Sequence, residues 1–363
     1  MKIAMLGAKG VPCSYGGVET HVEALATRLV KRGHEVTVYS RSHCTPKLKE
    51  FRGVRIVRLP CIASKHLEMP THVFLSSLAI WFNDFDIIHF HSIDPLLFAM
   101  PALRPKIVCT SQGQAYRRAK WGALPKYASR VAERLAMKKA DALIAVSRTL
   151  KQYYESKYDR KIIYIPNGAE PVPLVGENVL TKFGLTSGQY ILFVGRMDPT
   201  KGCDTALEAY RKLSLSEPFV IVGGPAYTTS YCEALQRSAP KGTKFLGHLT
   251  GIDYWAVMQH AKIFVFPSEI EGLSLALLEA MACGIAIIYS NIPENQEAVQ
   301  GAGLSFQVSD SEDLKLKLIA LLSSSELQRR IGELARNRIH DEYSWDQITA
   351  QTISVYKQCL RRS

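Results

Sequence analysis

The segment KIFVFPSEIEGLSLALLEAMACGIAIIYSNIPENQEAV, residues 262–299, decides the fold class of this chain. It begins with a short apolar run typical of a buried strand and continues through the helical-period segment LSLALLEAMACG. A second β-branched run, IAIIYS, follows directly. Strand, helix and strand in this order form the βαβ unit of a parallel sheet, so the pattern predicts an α/β fold.

The same alternation extends over both halves of the chain. In the first half, the strand-like runs are KIAML, EVTVYS, VRIVRL, DIIHF, KIVCT, DALIAV and KIIYI. After the Pro- and Gly-rich segment IPNGAEPVPLVGEN, they resume with YILFVG, FVIVGG, TKFLG, KIFVFP and IAIIYS. We therefore predict two doubly wound, Rossmann-like domains, residues 1–168 and 169–344, facing a central cleft, with a C-terminal helix, 345–363, packing back across them.

Length and composition restrict the class of protein. The chain has 363 residues, of which 47% are hydrophobic and 21% are charged, which excludes a disordered chain, collagen and a coiled coil. The apolar run 73–82 is shorter than the roughly 20 residues of a spanning helix, and the N-terminus lacks a signal-peptide core. Eight cysteines without a C-x-x-C pair indicate reduced thiols, so we expect a cytoplasmic protein.

Charge is distributed unevenly along the chain. Up to residue 170 there are 27 Lys and Arg against 13 Asp and Glu, and after it 18 against 20. The first half thus carries +14 and the second −2. This asymmetry predicts an anionic partner of the first half, either a nucleic acid or a negatively charged membrane surface.

Three loops that follow strands carry residues suited to binding. Gly16 and Gly17 stand where a loop becomes a helix, and glycine there permits close approach of an anion or a sugar. The spacing does not match the dinucleotide fingerprint, which disfavours a nicotinamide site. In YILFVGRMDPTKG, Arg196 and Lys201 stand at a strand-to-helix junction, where two cations could converge on a diphosphate.

Two glutamates mark the third loop and its helix. Glu271 stands in the loop, the segment Gly272 to Ser274 opens the helix, and Glu279 lies farther along it in the apolar run LALLEAMA. N–H groups at a helix N-terminus suit a phosphate, whereas carboxylates suit sugar hydroxyls. An unpaired carboxylate in such a run is costly, so Glu279 requires a partner.

Together these motifs resemble the retaining glycosyltransferases of family 4, which have the GT-B fold. The resemblance rests on PSEIEGLSLALLEAMACG, GRMDPTKG, the pair Gly16 and Gly17, and IPNGAE, and it covers nearly the whole chain. The segments GGVETHVEALATRLVKRGHEVTVYSR and RRAKWG further resemble the bacterial branch that builds cell-surface polysaccharides, including rhamnosyltransferases.

The resemblance implies a role for each matching residue. Arg196 and Lys201 would hold the donor diphosphate, Glu271 would contact the donor sugar, and Glu279 would bind the ribose. The remaining donor-side residues implied are Gly16, Gly17, Gln112, Gly195, His248, Gly272, Leu273, Ser274 and Leu275. Asn167 and Gly168 mark the domain junction.

One position departs from the family pattern. Many relatives read T-x-H-G where this chain has Thr110, Ser111, Gln112 and Gly113. Glutamine can donate or accept a hydrogen bond but cannot take up a proton, so either the donor preference has shifted or activity is reduced.

The first half offers further candidates. Asp84 and Asp86 mimic a D-x-D metal motif but precede their strand, which disfavours a metal site, and His91 is a candidate for acceptor contact or for packing. Between residues 116 and 139, eight Lys and Arg face one acidic residue, Glu133. Such a helix is suited to binding an anionic membrane surface, where each basic residue contributes about 1 kcal/mol of attraction. The alternative is that these residues form an ordinary solvated helix face. The acceptor- and membrane-side candidates are His91, Arg117, Arg118, Lys120, Trp121 and Lys126.

Together with these observations, the resemblance implies a retaining, metal-independent hexosyltransferase without a cofactor. Its donor would be a nucleotide diphosphate sugar, with UDP-sugars favoured. Its acceptor would be a lipid-linked or growing glycan in lipopolysaccharide, capsule or exopolysaccharide synthesis at the inner face of the cytoplasmic membrane. A nucleic-acid partner is disfavoured because no nucleic-acid motif accompanies the charge. The alternatives are a sugar-nucleotide epimerase of the same fold and a catalytically silent donor-binding subunit.

Overall fold

The computed structural model describes residues 1–12, 16–64, 66–100, 104–114, 122–170, 172–225 and 229–361. It divides into two compact units. The first comprises Met1–Asn167 and Trp345–Ser363, and the second comprises Gly168–Ser344. The division thus lies one residue before the boundary that the linker suggested, and the C-terminal helix belongs to the first unit.

Within the described ranges, fourteen strands form two sheets. The strands are β1 Lys2–Leu6, β2 Glu35–Arg41, β3 Glu50–Phe51, β4 Val54–Leu59, β5 Ile87–Phe90, β6 Lys106–Ser111, β7 Ala142–Ala145, β8 Ile163–Tyr164, β9 Ile191–Val194, β10 Phe219–Val222, β11 Thr243–Gly247, β12 Ile263–Phe266, β13 Ala286–Ser290 and β14 Leu304–Phe306. All strand-like runs of the sequence are strands. The short β3 and β14 were not predicted.

Twelve α-helices are described. They are α1 Gly17–Lys31, α2 Glu68–Trp81, α3 Ala123–Lys139, α4 Arg148–Lys157, α5 Cys203–Arg211, α6 Ser230–Ser238, α7 Gly251–Gln259, α8 Leu275–Cys283, α9 Pro293–Val299, α10 Ser311–Leu322, α11 Ser325–Glu342 and α12 Trp345–Arg361. None of these described helices has the length and apolar composition needed to span a membrane. In the first unit, α12 packs against α1 and β6.

The first unit is built on an eight-stranded sheet of order β3-β4-β2-β1-β5-β6-β7-β8. All its strand pairs are parallel except that of β3 with β4. Its central strands are continuous runs of buried residues, as expected for a sheet covered by helices on both faces.

The second unit contains a six-stranded parallel sheet of order β11-β10-β9-β12-β13-β14. The order reverses between β9 and β12, which are neighbours although two strands, β10 and β11, separate them along the chain. Such a switch point opens a crevice beyond the carboxyl ends of the two strands, where ligands bind in doubly wound sheets. The predicted fold class, α/β with two doubly wound sheets, is confirmed.

Candidate functional site

The crevice of the second unit is bordered by the two loops that the sequence singled out. The loop after β9 contains Arg196 and Lys201 and leads into α5, and the loop after β12 contains Glu271 and leads into α8. Because β9 and β12 are adjacent parallel strands, both loops leave the same edge of the sheet. The N-termini of two helices therefore lie at this edge.

Lys201 and Glu271 form an ion pair across the two loops. Lys201 Nζ lies 2.5 Å from Glu271 Oε1, and the side chains are 16% and 10% exposed. Gly202 makes this approach possible, since it adopts a φ of +63° and a Cβ there would lie 2.3 Å from the carbonyl oxygen of Pro267. The backbone also ties the loops together, because Glu269 N donates to Thr200 O at 2.9 Å.

Arg196 supplies a second cation at this edge. Its side chain is partly buried, and its guanidinium has no hydrogen-bond or ion-pair partner among the residues that the structure describes. A partly buried cation without a counter-charge favours binding of an anion. The neighbouring Gly195 N donates to Val222 O at 3.0 Å, which holds the start of this loop on β10.

The start of α8 presents backbone groups to the same crevice. Ser274 is the N-cap residue, and its hydroxyl accepts a hydrogen bond from Leu277 N at 3.5 Å. The flanking Leu273 and Leu275 are buried, which fixes the backbone of this turn. The first N–H groups of a helix lack partners within the helix, so this turn can donate to phosphate or hydroxyl oxygens.

Glu279 has the partner that its apolar surroundings require. The Tyr254 hydroxyl, from α7, donates to Glu279 Oε2 at 2.5 Å. Burial raises the pKa of Glu279 from 4.5 to about 7, and the hydrogen bond from Tyr254 offsets part of that rise. Glu279 as a residue is partly buried, and near neutral pH its carboxyl group can accept or donate a hydrogen bond.

His248 lies one residue beyond β11 and is exposed. It is thus at the carboxyl edge of the sheet, two strands from β9.

In the first unit, Gly16 caps α1 and Gly17 is its first residue. Gly16 has a φ of +104°, and a Cβ there would lie 2.5 Å from Glu19 Oε2. The Glu19 carboxylate accepts a hydrogen bond from Lys9 N at 3.0 Å, which joins the loop after β1 to the first turn of the helix. The two glycines therefore stand at a helix N-terminus, as predicted.

Gln112 belongs to a chain of hydrogen-bonded side chains. His21 Nδ1 and Asn167 Oδ1 are 2.8 Å apart, and Asn167 Nδ2 donates to Gln112 Oε1 at 3.0 Å. Since Asn167 Oδ1 can only accept, the His21 proton is on Nδ1. This chain holds the Gln112 oxygen and leaves its Nε2 as a buried donor without a partner within the described ranges.

Buried histidines surround this chain. His89 and His91, on and just after β5, have ring centroids 4.0 Å apart, and His21 lies 5.2 Å from His91. Burial lowers the pKa of His21 to about 4. Burial also lowers the pKa of His89 to about 3, and repulsion from the nearby His21 contributes to this decrease. His91 was expected on the acceptor side, yet it has no exposed surface. Burial lowers the pKa of His91 well below 6.5, and the neighbouring His89 and His21 lower it further.

The structure also describes the two aspartates of the D-x-D segment and one of the predicted membrane-side residues. Asp86 accepts a hydrogen bond from Lys2 N at 2.7 Å, and Asp84 lies 4.0 Å from Lys2 Nζ. Both stand before β5 and therefore at the amino edge of this sheet, opposite the carboxyl ends of the strands, where ligands bind in doubly wound sheets. Arg117, Arg118, Lys120 and Trp121 lie outside the described residues, whereas Lys126 is partly buried in the first turn of α3.

Two side chains that complete these arrangements, Tyr254 and His21, were not predicted from the sequence. Tyr254 gave no signal because tyrosine in the segment GIDYWAVMQ fits an ordinary helix face. His21 follows Gly16 and Gly17 by about one helical turn, which places it near the start of α1, but its pairing with Asn167 joins residues 146 positions apart.

Comparison with known proteins agrees with this geometry. Residues 15–171 match the family described as Glycosyltransferase Family 4, and residues 182–338 match the family described as Glycosyl transferases group 1. The O-antigen chain mannosyltransferase B of Escherichia coli is 30% identical over 53% of this chain and 51% of its own length. The phosphatidyl-myo-inositol mannosyltransferase of Mycolicibacterium smegmatis is 26% identical over 96% and 93%.

Solved structures show the same fold over the whole chain. Sucrose-phosphate synthase from Thermosynechococcus elongatus matches with a TM-score of 0.86 at 20% identity, covering 100% of both chains. Anabaena HepE in complex with UDP and glucose matches with a TM-score of 0.81 at 18% identity, covering 99% and 100%. The two family matches together span most of the sequence, and the chain is a glycosyltransferase of the family 4 type with the GT-B fold.

Proposed function

We propose that this glycosyltransferase is a retaining, metal-independent hexosyltransferase that uses a nucleotide diphosphate sugar, with a UDP-sugar as the first choice. Its acceptor is a lipid-linked or growing glycan of a surface polysaccharide, met at the cytoplasmic face of a membrane. The observation that carries the proposal is the edge between β9 and β12, where Arg196, the ion pair of Lys201 with Glu271 and the N-termini of α5 and α8 all lie.

Each group at this edge suits one part of the donor. Arg196 and the first turn of α8 suit the diphosphate, because both offer hydrogen-bond donors and positive potential. Glu271, held by Lys201, suits the hydroxyls of the sugar, and Glu279 suits those of the ribose. Lys201 shares its charge between Glu271 and an incoming phosphate.

The transfer step needs stabilisation of the departing diphosphate. The bond between the anomeric carbon and the phosphate oxygen breaks, and a bond from that carbon to the acceptor oxygen forms. The acceptor proton passes to the phosphate oxygen on the same face of the sugar, which accounts for retention without a carboxylate nucleophile. Arg196, Lys201 and the N–H groups of α8 stabilise the negative charge that develops on the leaving group.

Gln112 contributes a fixed hydrogen-bond donor. Asn167 occupies the Gln112 oxygen, so the amide nitrogen is the atom left to contact an oxygen of the substrates. A neutral imidazole at this position would present the same donor if its other nitrogen accepted from Asn167. Glutamine is therefore an adapted substitute for the histidine of many relatives.

Two features of the first unit suit an acceptor at a membrane surface. A hollow of about 680 Å³ beside α2 is lined by apolar side chains, including the half-exposed Phe74 and Ile62. On α3, basic residues recur every four positions and lie on one face. They are Lys126, Arg130, Arg134 and Lys138.

The single acidic residue of α3 does not weaken this basic face. Glu133 is buried and is bonded to Lys157 at 2.7 Å and to the hydroxyl of Tyr158 at 2.8 Å. The basic face therefore keeps its attraction for anionic headgroups.

The names of the relatives support a glycan acceptor and a nucleotide-sugar donor. One relative is named for the O-antigen chain and another for a phosphatidylinositol substrate, and HepE was solved with UDP and glucose.

A transfer assay tests the proposal. Purified protein is incubated with UDP-, GDP- or dTDP-hexoses, with and without a bacterial lipid extract, and nucleotide release and the anomeric configuration of the product are measured. We expect acceptor-dependent release of one nucleotide, a retained configuration and no effect of a chelator. Consumption of the donor without any acceptor would instead identify an epimerase or a hydrolase.

A catalytically silent donor-binding subunit is the second candidate, because Gln112 replaces the histidine of many relatives. It predicts nucleotide binding without transfer, and a large gain of activity in Gln112→His.

A further inference from the structure

Three side chains with metal-binding atoms meet at the carboxyl edge of the first unit's sheet. They are His43, Cys44 and Glu68, whose ligand atoms all lie within 4.8 Å of one another. His43 Nε2 is 3.1 Å from Glu68 Oε1, and Cys44 Sγ is 3.7 Å from the same oxygen. Within the described ranges, this is the one group of three such residues.

The topology explains why these residues meet. The parallel strands β2 and β4 are in register from Thr37 with Arg55 to Arg41 with Leu59. The loops that follow them therefore leave the same edge. The first is a tight turn in which Cys44 N donates to Arg41 O at 3.1 Å, and the second leads to Glu68, the first residue of α2.

The spacing of the ligand atoms fits a tetrahedral zinc ion. With Zn–N and Zn–O distances of about 2.0–2.1 Å and a Zn–S distance of about 2.3 Å, tetrahedral angles put N and O about 3.3 Å apart and S and O about 3.5 Å apart. The observed separations of 3.1 and 3.7 Å are close to these values. The imidazole is 41% exposed, so an ion can reach the site.

The surroundings orient the imidazole and balance the charge. Cys61 Sγ lies 3.5 Å from His43 Nδ1, so the second ring nitrogen has a hydrogen-bond partner, as the second nitrogen of a metal-bound histidine does. Arg41 Nη1 is 2.8 Å from Glu68 Oε1 and holds the carboxylate in place. A carboxylate offers about four lone-pair positions, so it can serve Arg41 and an ion together.

We propose that His43 Nε2, Cys44 Sγ and a Glu68 carboxylate oxygen bind one Zn²⁺ ion, with Cys61 orienting the imidazole. Thiolate, imidazole and carboxylate are the ligands that zinc takes in proteins, and a fourth position remains for water or another ligand. A bound ion joins the loop after β2 to the first turn of α2, beside the apolar hollow that Cys61 helps to line. The site takes no part in the transfer step and does not depend on the proposed function.

Cobalt(II) titration of the full-length, reduced and chelator-treated protein tests this site. Cobalt replaces zinc in such sites and gives a thiolate-to-metal charge-transfer band together with intense tetrahedral bands. We expect one cobalt per chain and displacement of the bands by zinc. In Cys44→Ser, we expect loss of the charge-transfer band. In Cys61→Ser, we expect the band to remain with about 10-fold weaker zinc binding, because an orienting partner typically contributes 10- to 100-fold.

Two further variants serve as a control and as a second ligand substitution in the cobalt titration. Cys232→Ser replaces a partly buried cysteine of the second unit and should leave cobalt binding unchanged. His43→Gln alters an exposed side chain, so it should fold as the wild type does and still lose stoichiometric binding. Melting curves without metal check folding in every variant. Absence of stoichiometric binding in the wild type, or a charge-transfer band that survives in Cys44→Ser, would overturn the assignment.

Discussion

Replacing Glu279 by glutamine should stabilise the protein above neutral pH while weakening nucleotide binding. In the folded protein, burial raises the pKa of Glu279 to about 7, whereas an unfolded glutamate titrates near its ordinary value of 4.5. Glutamine has nearly the same shape and can accept the hydrogen bond from Tyr254. The substitution therefore removes the titration while keeping the contact.

The sign of the effect follows from proton linkage. Below about pH 4.5, the Glu279 carboxyl is protonated in both the folded and the unfolded protein, so it does not lower the free energy of unfolding. As the pH rises from about 4.5 to 7, the unfolded chain loses this proton before the folded protein does, so the wild type loses stability in this window. Above about pH 7 the loss is complete, and the glutamine variant does not suffer it.

The magnitude follows from the two pKa values. Their difference corresponds to at most about 3 kcal/mol of unfolding free energy. Because the side chain is only partly buried, water screens part of this, and we expect a gain of about 1–2 kcal/mol at about pH 8.5 and none at about pH 4.5. In the donor site that we propose, Glu279 binds the ribose, and loss of this charge-assisted hydrogen bond should weaken nucleotide binding about 10-fold.

Urea unfolding of both proteins at several pH values between about 4.5 and 8.5 measures this difference. Tyr254→Phe is the matched control, since it removes the hydrogen bond that lowers the pKa of Glu279 and should deepen the loss of stability with pH. A stability difference between Glu279→Gln and the wild type that is the same at every pH would show that folding does not shift the pKa of Glu279.

Three further predictions concern other parts of the protein. Lys201→Ala should lower turnover about 10²- to 10³-fold. The control Lys262→Ala breaks a similar ion pair, 2.6 Å long, at the other end of β12 and should lower only the melting temperature. Equal turnover in the two variants would exclude a role for Lys201. Gln112→Glu should reduce turnover at least about 10-fold because it replaces the donor by an acceptor, and steady-state kinetics that match the wild type would contradict this. Because the buried histidines stay neutral in the folded protein, the free energy of unfolding should fall as the pH drops from about 6.5 to 4. In urea unfolding, His91→Leu should show a smaller fall. The same dependence on pH as in the wild type would show that His91 does not contribute.

The fold was largely predictable because its signals are local. Each central strand is a short β-branched run between helical segments, and this pattern needs no knowledge of distant residues. The strands β3 and β14 escaped prediction because they contain two and three residues and carry no periodicity. The C-terminal helix was expected to pack back across the domains, but its packing on α1 and β6 of the first unit depends on contacts that the linear sequence does not show.

The candidate site was predictable to the extent that its residues follow strands. Lys201 and Glu271 were expected at one edge because their loops follow strands of one parallel sheet, but their direct pairing depends on the backbone conformation of Gly202. The partner of Glu279 had to exist on energetic grounds, yet its identity as Tyr254 required the packing of α7 against α8. The chain from His21 through Asn167 to Gln112 joins three distant segments and was not predictable.

A donor site that includes Arg196 is tested by nucleotide binding to the wild type and to Arg196→Ala, because a ligand that binds only the folded state raises its melting temperature. UDP, GDP, dTDP and their hexose derivatives are compared by thermal unfolding of both proteins. We expect a rise in melting temperature with one nucleotide, UDP as the first choice, and we expect this rise to be lost in Arg196→Ala. No rise with any nucleotide, or an equal rise in the variant, would contradict a donor site at the edge between β9 and β12.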